Sequence, residues 1–252
     1  MNENLLKLEQ VTYTSINHDP LNDVSFSLAR GENLVLFGPE NSGIETVLMM
    51  VLDLDETYEG SILYKNMNIK ELDYVGKHNY KKEIGFVHGV YGLISNMSVE
   101  DNISLPLEYH SRMSENEIKK HVSRLIYELN LDYCKKFRPV DLSSSEMLRT
   151  SYARAIAMDP ELLLIQHPSE GQSPLNIQSF IENLKERADR DDRSVVIVTY
   201  EPEKFIDFSD HFIMIFSGRV VFDGTRNEFL DSDNRYLQQY KSGSSLGPMA
   251  IL

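Results

Sequence analysis

The sequence predicts an α/β protein whose sheet is mainly parallel and covered on both faces. Three observations carry that prediction. Short all-apolar runs, among them Leu34-Val35-Leu36-Phe37, Leu162-Leu163-Leu164-Ile165 and Val195-Val196-Ile197-Val198, read as strands buried on both sides. They alternate with segments of helical period from one end of the chain to the other. At 252 residues, 41% hydrophobic and 25% charged, the chain has the size and composition of an ordinary globular domain with ample core.

The elements follow in order. Asn33 to Phe37 is a strand closed by Gly38, and residues 44–52 read as a buried helix. Ser61 to Ile69 alternates in strand fashion, and Ile84 to Val87 is another short strand. Ser114-x-x-Glu117 is a capping box, followed by Ile118, Val122, Leu125, Ile126 and Leu129 on one helical face. A second helix is expected from about Glu146 to Ala157, and another from Pro174, a favoured first helical residue. Phe212 to Phe216, Ser217-Gly218 and Val220 to Phe222 read as a hairpin. Residues 90–150 are mostly helical, which suggests a helical insert. The last ten residues, 243–252, are small and apolar without period and are expected to form a loose tail.

Charge and cysteine content exclude several classes of function. With 25 Lys+Arg against 39 Asp+Glu the net charge is −14, so no cationic surplus exists to hold nucleic acid or anionic lipid broadly. The single cysteine, Cys134, rules out an internal disulfide framework and a cysteine-based zinc cluster; it is expected to be a small partly buried side chain. No metal-ligand spacing links the histidines. Met1-Asn2-Glu3-Asn4 shows no leader pattern and no run reaches 18 apolar residues, so a cytoplasmic protein is expected.

Strand, then Gly38-Pro39-Glu40-Asn41-Ser42-Gly43-Ile44-Glu45-Thr46, then helix is the layout of a phosphate-binding loop. Both glycines stand at the right spacing. Yet Ile44 occupies the position of the lysine that reaches the phosphates, and Glu45 that of the hydroxyl that holds Mg²⁺. Two glycines five apart are also what an ordinary strand-to-helix turn would show.

The rest of the chain raises that signal. Gly31-Glu32, the Gly38–Thr46 loop, Ile84-Gly85-Phe86-Val87 leading to Ser98-Val99-Glu100-Asp101-Asn102, Leu142-Ser143-Ser144-Ser145 running into Ala153-Arg154-Ala155-Ile156-Ala157, and Pro160-Glu161-Leu162-Leu163-Leu164-Ile165 occur in a specific order. On these residues the sequence resembles ATP-binding-cassette (ABC) transporter ATPase subunits over residues 4–240. Leu93 to Leu107 and Gly171-Gln172-Ser173-Pro174 point towards the Mla/Mce-type lipid-transport branch. The resemblance implies a P-loop NTPase-like ABC ATPase fold with a mainly parallel core sheet, an N-terminal antiparallel β region and a helical subdomain at about 90–150. The expected single domain covers 1–242.

Carried over position by position, the family's machinery is replaced. The glutamine that senses the γ-phosphate falls at Gly89, after His88. The signature becomes Leu142-Ser143-Ser144-Ser145-Glu146, the Mg²⁺-supporting Asp becomes Gln166, and the catalytic Glu becomes His167. The D-loop aspartate is Ser173 and the switch histidine is Tyr200. The adenine-stacking aromatic aligns near Ser15, with Tyr13 as a substitute. What remains is a vestigial loop (Gly38, Asn41, Ser42, Gly43, Thr46) and a vestigial signature (Ser143, Ser144, Ser145), with no catalytic or metal-binding residue.

Phosphoryl transfer needs positioning and positive charge. A carboxylate about 4 Å from a phosphate charge costs about 4 kcal/mol at an effective dielectric of 20. Glu45 reads equally as an internal anion on its helix N-terminus or as a solvent-pointing side chain. An imidazole at His167 is chemically able to act as a base, but a structural role at a strand end is preferred. Ser143 reads as a helix cap that could offer weak contacts to a partner's nucleotide.

Three functions follow. The first is a non-catalytic subunit docked on a transmembrane permease at the inner face of the cytoplasmic membrane, with a groove near 88–107 receiving a cytoplasmic helix of that permease. The second is an active, rewired ATPase powering transport. The third is a soluble adaptor. The first is favoured, with no cofactor beyond weak ATP binding, no nucleic-acid partner, and dimerisation with itself or with a second, intact cassette.

Overall fold

A computed structural model describes residues 4–16, 18–191 and 193–250. In chain order the strands are β1 (Asn4–Tyr13), β2 (Leu21–Ala29), β3 (Asn33–Phe37), β4 (Glu59–Tyr64), β5 (Met67–Asn68), β6 (Ile84–Val87), β7 (Leu162–Gln166), β8 (Ser194–Thr199), β9 (His211–Phe216) and β10 (Arg219–Thr225). The helices are α1 (Ile44–Val51), α2 (Tyr74–Lys82), α3 (Val99–His110), α4 (Glu115–Glu128), α5 (Ser144–Ile156), α6 (Pro174–Asp191), α7 (Arg226–Asp231) and α8 (Arg235–Ser242). The chain divides into two compact units. One runs up to Lys77 and resumes at Ala188; the other is His78–Arg187.

The first unit holds an antiparallel sheet of order β2-β1-β4-β5. Leu6, Leu8, Val11 and Tyr13 are buried along β1, where the left-handed Gln10 (φ 51°) and a register shift between Leu8 and Val11 move the inward face from even to odd positions. The alternation from Ser61 to Ile69 is not one strand. Lys65 and Asn66 both take left-handed backbone angles (φ 49° and 62°), folding the segment into the β4–β5 hairpin. The same unit carries parallel strands: β3 lies between β8 and β9, with Leu34 opposite both Val196 and His211. β10 closes that edge antiparallel to β9, as the Ser217-Gly218 turn implies. Every residue of β3 and β8 is buried, which is why both read as unbroken apolar runs. Below them Phe229 of α7 stacks on Phe212 at 4.3 Å and meets Phe37 edge-on at 5.6 Å.

The second unit pairs β6 parallel to β7 and carries α3, α4 and α5 with most of α6. The Ser114–Glu117 capping box is present, and Ile118, Val122, Leu125 and Ile126 form the buried face of α4. The compact unit that holds these helices, His78–Arg187, also includes the strands β6 and β7. Cys134 is fully buried, its thiol 3.4 Å from the Leu131 carbonyl.

The segment expected to be a loose tail is anchored over its described part. Gln239 donates from Nε2 to the carbonyls of Met249 (2.9 Å) and Ser244 (3.2 Å), and accepts from the Met249 amide at 2.8 Å. Met249 is buried. A lone glutamine thus satisfies the returning backbone as a neighbouring strand would, which no periodicity in the segment announces.

Candidate functional site

The loop after β3 is set by its glycines. A Cβ on Gly38 would stand 2.2 Å from the Ile215 carbonyl oxygen, and Gly43 has φ +103° and would press on Leu21. The Gly218 amide donates to the Ser42 carbonyl at 2.9 Å, tying the loop to the β9–β10 turn. Asn41 is left-handed at φ 59° and exposed, while Ser42 is buried.

The side chains then depart from phosphate chemistry. Ile44 is fully buried in the core. Thr46 is buried and donates its hydroxyl to the Asp19 carbonyl at 2.9 Å. Glu45, half-buried at the start of α1, accepts at Oε1 a 2.6 Å hydrogen bond from the Tyr200 hydroxyl. Burial and then the Glu45 carboxylate push the Tyr200 phenol up, with Glu40 and Asp19 adding to it. Burial and the Glu45 charge likewise push the Asp19 carboxyl up. Glu40, Glu45 and Asp19 thus gather acidic groups about the start of α1. Tyr240 of α8 donates to the carbonyls of Tyr200 (2.7 Å) and Gly38 (3.1 Å), and its phenol is pushed up by burial and by Glu203 and Glu201.

Tyr13 does not offer an adenine-stacking face. It is 2% exposed on the inward side of β1, with its hydroxyl donating to Asp55 at 2.8 Å. The irregularity of β1 at Gln10 decides this, since it turns the odd-numbered Tyr13 to the core side.

In the second unit, Gln166 ends β7 and accepts at Oε1 from the Gly89 amide at 3.3 Å. His167 follows with φ 46°, and its carbonyl accepts from the Glu170 amide. The signature segment is a helix N-terminus. Ser143 caps α5 in a reciprocal box, in which Glu146 Oε2 accepts from the Ser143 amide (2.6 Å) and hydroxyl (2.7 Å). The Tyr133 hydroxyl also donates to Glu146. Burial raises the Glu146 carboxyl, yet these hydrogen bonds hold it below the usual range. Ser144 and Ser145 are half-buried beside it.

The loop from His88 to Ser98 is fastened by residues to which sequence reasoning assigned no role. The Tyr91 carbonyl accepts from Ser151 (2.8 Å) and Arg154 (3.2 Å), Arg154 also reaches the Gly92 carbonyl (2.8 Å), and Gln172 donates to the Tyr91 hydroxyl (3.0 Å). Asn102, fully buried, accepts from the Ile94 amide (2.8 Å) and donates to the Ser98 carbonyl (2.9 Å). Asn102 follows Glu100-Asp101, and its place one turn after the Ser98 cap was the available signal. Beside this loop lies a groove of about 770 Å³. Lys81, Lys82 and Arg154 are its charged residues and Phe86, Met97 and Leu105 part of its floor; no carboxylate lines it. Among the described residues no cluster of His, Cys, Asp or Glu is arranged to hold a metal.

A glycine-built loop between a buried parallel strand and a helix, an antiparallel N-terminal sheet and a capped helix behind Leu142-Ser143 define an ATP-binding-cassette type of nucleotide-binding fold. The family model described as ABC transporter matches residues 21–170. The chain belongs to the ABC transporter family. It is 24% identical over 249 residues to the intermembrane phospholipid transport system ATP-binding protein MlaF of Haemophilus influenzae, an alignment covering 99% of this chain and 94% of that one. It is 28% identical over 250 residues to the sulfate/thiosulfate import ATP-binding protein CysA 1 of Agrobacterium fabrum, covering 98% of this chain and 71% of the relative. Among solved structures, the dimeric post-hydrolysis state of the ATP-binding cassette MJ0796 bound to ADP and Pi superposes with a TM-score of 0.80 at 26% identity, covering 88% and 98% of the two chains. Among the described residues no helix is long and apolar enough to cross a membrane.

Proposed function

We propose that this chain is a non-hydrolysing ABC subunit that docks on a transmembrane permease at the cytoplasmic face of the membrane. The observation that carries the reading is the Tyr200–Glu45 hydrogen bond, which keeps a carboxylate at the head of α1 where the family places a Mg²⁺-binding hydroxyl. A magnesium-bound triphosphate fits these side chains poorly. Ile44 offers it no charge, the Thr46 hydroxyl is committed to Asp19, and Gln166 and His167 replace the acidic pair that the family uses. Glu45 opposes a phosphate by about 4 kcal/mol at 4 Å and an effective dielectric of 20. Backbone amides are what the loop retains, which leaves room for weak, Mg²⁺-independent ATP binding.

The groove with Lys81, Lys82 and Arg154 supports docking of a short permease helix that carries carboxylates on one face. The near end-to-end alignment with MlaF supports a lipid substrate, and the comparable identity to CysA 1 weakens that choice. The chain dimerises with itself or with an intact cassette. The second arrangement supplies energy, because the partner's loop would face this chain's Ser143–Glu146 segment.

The test is purification of the native complex, with subunit identification and an ATPase assay. Co-purification with a permease and no Mg²⁺-dependent turnover from this chain alone is expected. Recovery without any membrane protein favours a soluble adaptor. The retained Gly38 and Gly43 favour, as a second reading, a nucleotide-driven subunit. Turnover abolished by Gly43→Ala, or a micromolar Kd for MgATP by calorimetry, would establish it.

A further inference from the structure

Two sets of hydrogen bonds meet on adjacent residues of α8. On one side Gln239 grips the returning segment through Met249 and Ser244, with Gln239 4% and Met249 6% exposed. On the other side Tyr240 places its hydroxyl between the Gly38 carbonyl, at the first glycine of the loop, and the Tyr200 carbonyl after β8. Its ring meets Phe37 at 5.5 Å, so the phenol is seated on the strand that leads into the loop. Tyr200, held in this way, is the residue whose hydroxyl binds Glu45. The contacts therefore run without a break from Met249 through Gln239, Tyr240 and Tyr200 to Glu45, all within one unit.

We infer that α8 and the segment after it form a latch on the phosphate-type loop. Tyr240 clasps the loop to the Tyr200 turn, and the clipped segment 244–249 is the lever that sets the clasp. While it is set, Tyr200 holds the Glu45 carboxylate at the start of α1 and the loop keeps its anion-opposing form. A partner that draws residues 244–249 away from Gln239 loosens the loop without touching it. Other anchors of α8 lie off the loop itself: Asn234 donates to the Val221 carbonyl, Lys241 to those of Phe229 and Leu230, and the Tyr236 ring meets Phe216 at 5.9 Å. The inference rests on reading the loop as closed by Glu45, and it does not depend on whether the chain hydrolyses nucleotide.

Amide hydrogen exchange on the full chain tests it, with β8 as internal reference. Tyr240→Phe keeps the ring against Phe37 and removes the clasp alone. Exchange at residues 40–43 and 200–201 is expected to rise about threefold to tenfold, the size of one or two lost hydrogen bonds. Gln239→Ala is expected to raise exchange over 244–249 strongly and over 40–43 about twofold to threefold, carrying the effect across α8. Unchanged exchange over 40–43 in Tyr240→Phe, or an effect of Gln239→Ala confined to 244–249, overturns the latch. An ATPase assay on the same samples separates the two ideas. Turnover by the unmodified chain would sink the non-hydrolysing reading and leave the exchange result standing.

Discussion

The loops that follow β3 and β6 are held in opposite ways. The first takes its shape from its own glycines, since Gly38 and Gly43 have no room for a Cβ, and is tied down by the Gly218 amide and the Tyr240 hydroxyl. The second is fixed through side chains, with Ser151, Arg154, Gln172 and Asn102 each gripping a particular atom of the 91–98 stretch. A loop specified by its backbone can exchange its chemical side chains and keep its shape. That is how Ile44 and Glu45 stand in a phosphate-type loop without disturbing it. A loop specified by side chains loses its shape when one of them is lost.

The sharpest way to break this contrast is Gly38→Ala. The added methyl would lie 2.2 Å from a main-chain oxygen of β9, so the strand or the loop must shift. A loss of about 3 kcal/mol in denaturant unfolding is expected; a loss below about 1 kcal/mol would show that the loop has slack. Asn102→Ala comes next. It strands the Ile94 amide, while the Ile94 carbonyl keeps the Met97 amide, and should cost about 2 kcal/mol, with faster exchange over 91–98 and none over 40–43. Equal exchange changes in both loops would erase the distinction.

The far end of β3 from the first loop is pinned at the start of β9, where His211 lies opposite Leu34. The His211 imidazole lies 2.6 Å from Asp223 and 3.3 Å from Glu32, and these two carboxylates, Glu32 first, lift it to about 9 against burial. A raised folded-state value means the stabilisation is complete below about pH 6.5 and is lost as pH rises through about 9. Allowing for solvent at the pair's edge, the loss is about 1 kcal/mol. Melting temperature measured from pH 6 to 10 should fall in that window and flatten in His211→Asn; a flat curve for the unmodified protein would refute the pin. The smallest effect expected is that of Glu45→Gln, about 0.5 to 1 kcal/mol at neutral pH, from the lost charge at a helix N-terminus. Ile44→Lys combined with Glu45→Ser should tighten phosphate binding in calorimetry without producing turnover, since Gln166 and His167 remain. Turnover in that variant would place the chemistry elsewhere.

Most buried strands and the main helix starts were legible because local rules set them. β3, β7 and β8 are apolar runs buried on both faces, β6 is a short apolar run with one face half-buried, and Ser114 and Pro174 mark helix starts through main-chain hydrogen bonding and φ. The β4–β5 hairpin was read as one strand because Lys65-Asn66 lacks the glycine that usually marks such a turn. Tyr13 was placed near a ligand because alignment locates a residue in a motif, while its face of the strand is set by the sheet.

The sequence by itself determined the alternation of strands and helices, the glycine spacing of the loop and the replacement of the charged and hydroxyl residues around it. These are properties of period, φ preference and residue identity, all local to the chain. The tertiary structure alone decided that Glu45 turns towards Tyr200, 155 positions away, and that Tyr240 bridges Gly38 and Tyr200. It also decided that Met249 returns to Gln239. A hydrogen bond between side chains far apart in sequence depends on rotamers and on the packing that brings the two segments together, and no local pattern in the chain encodes either.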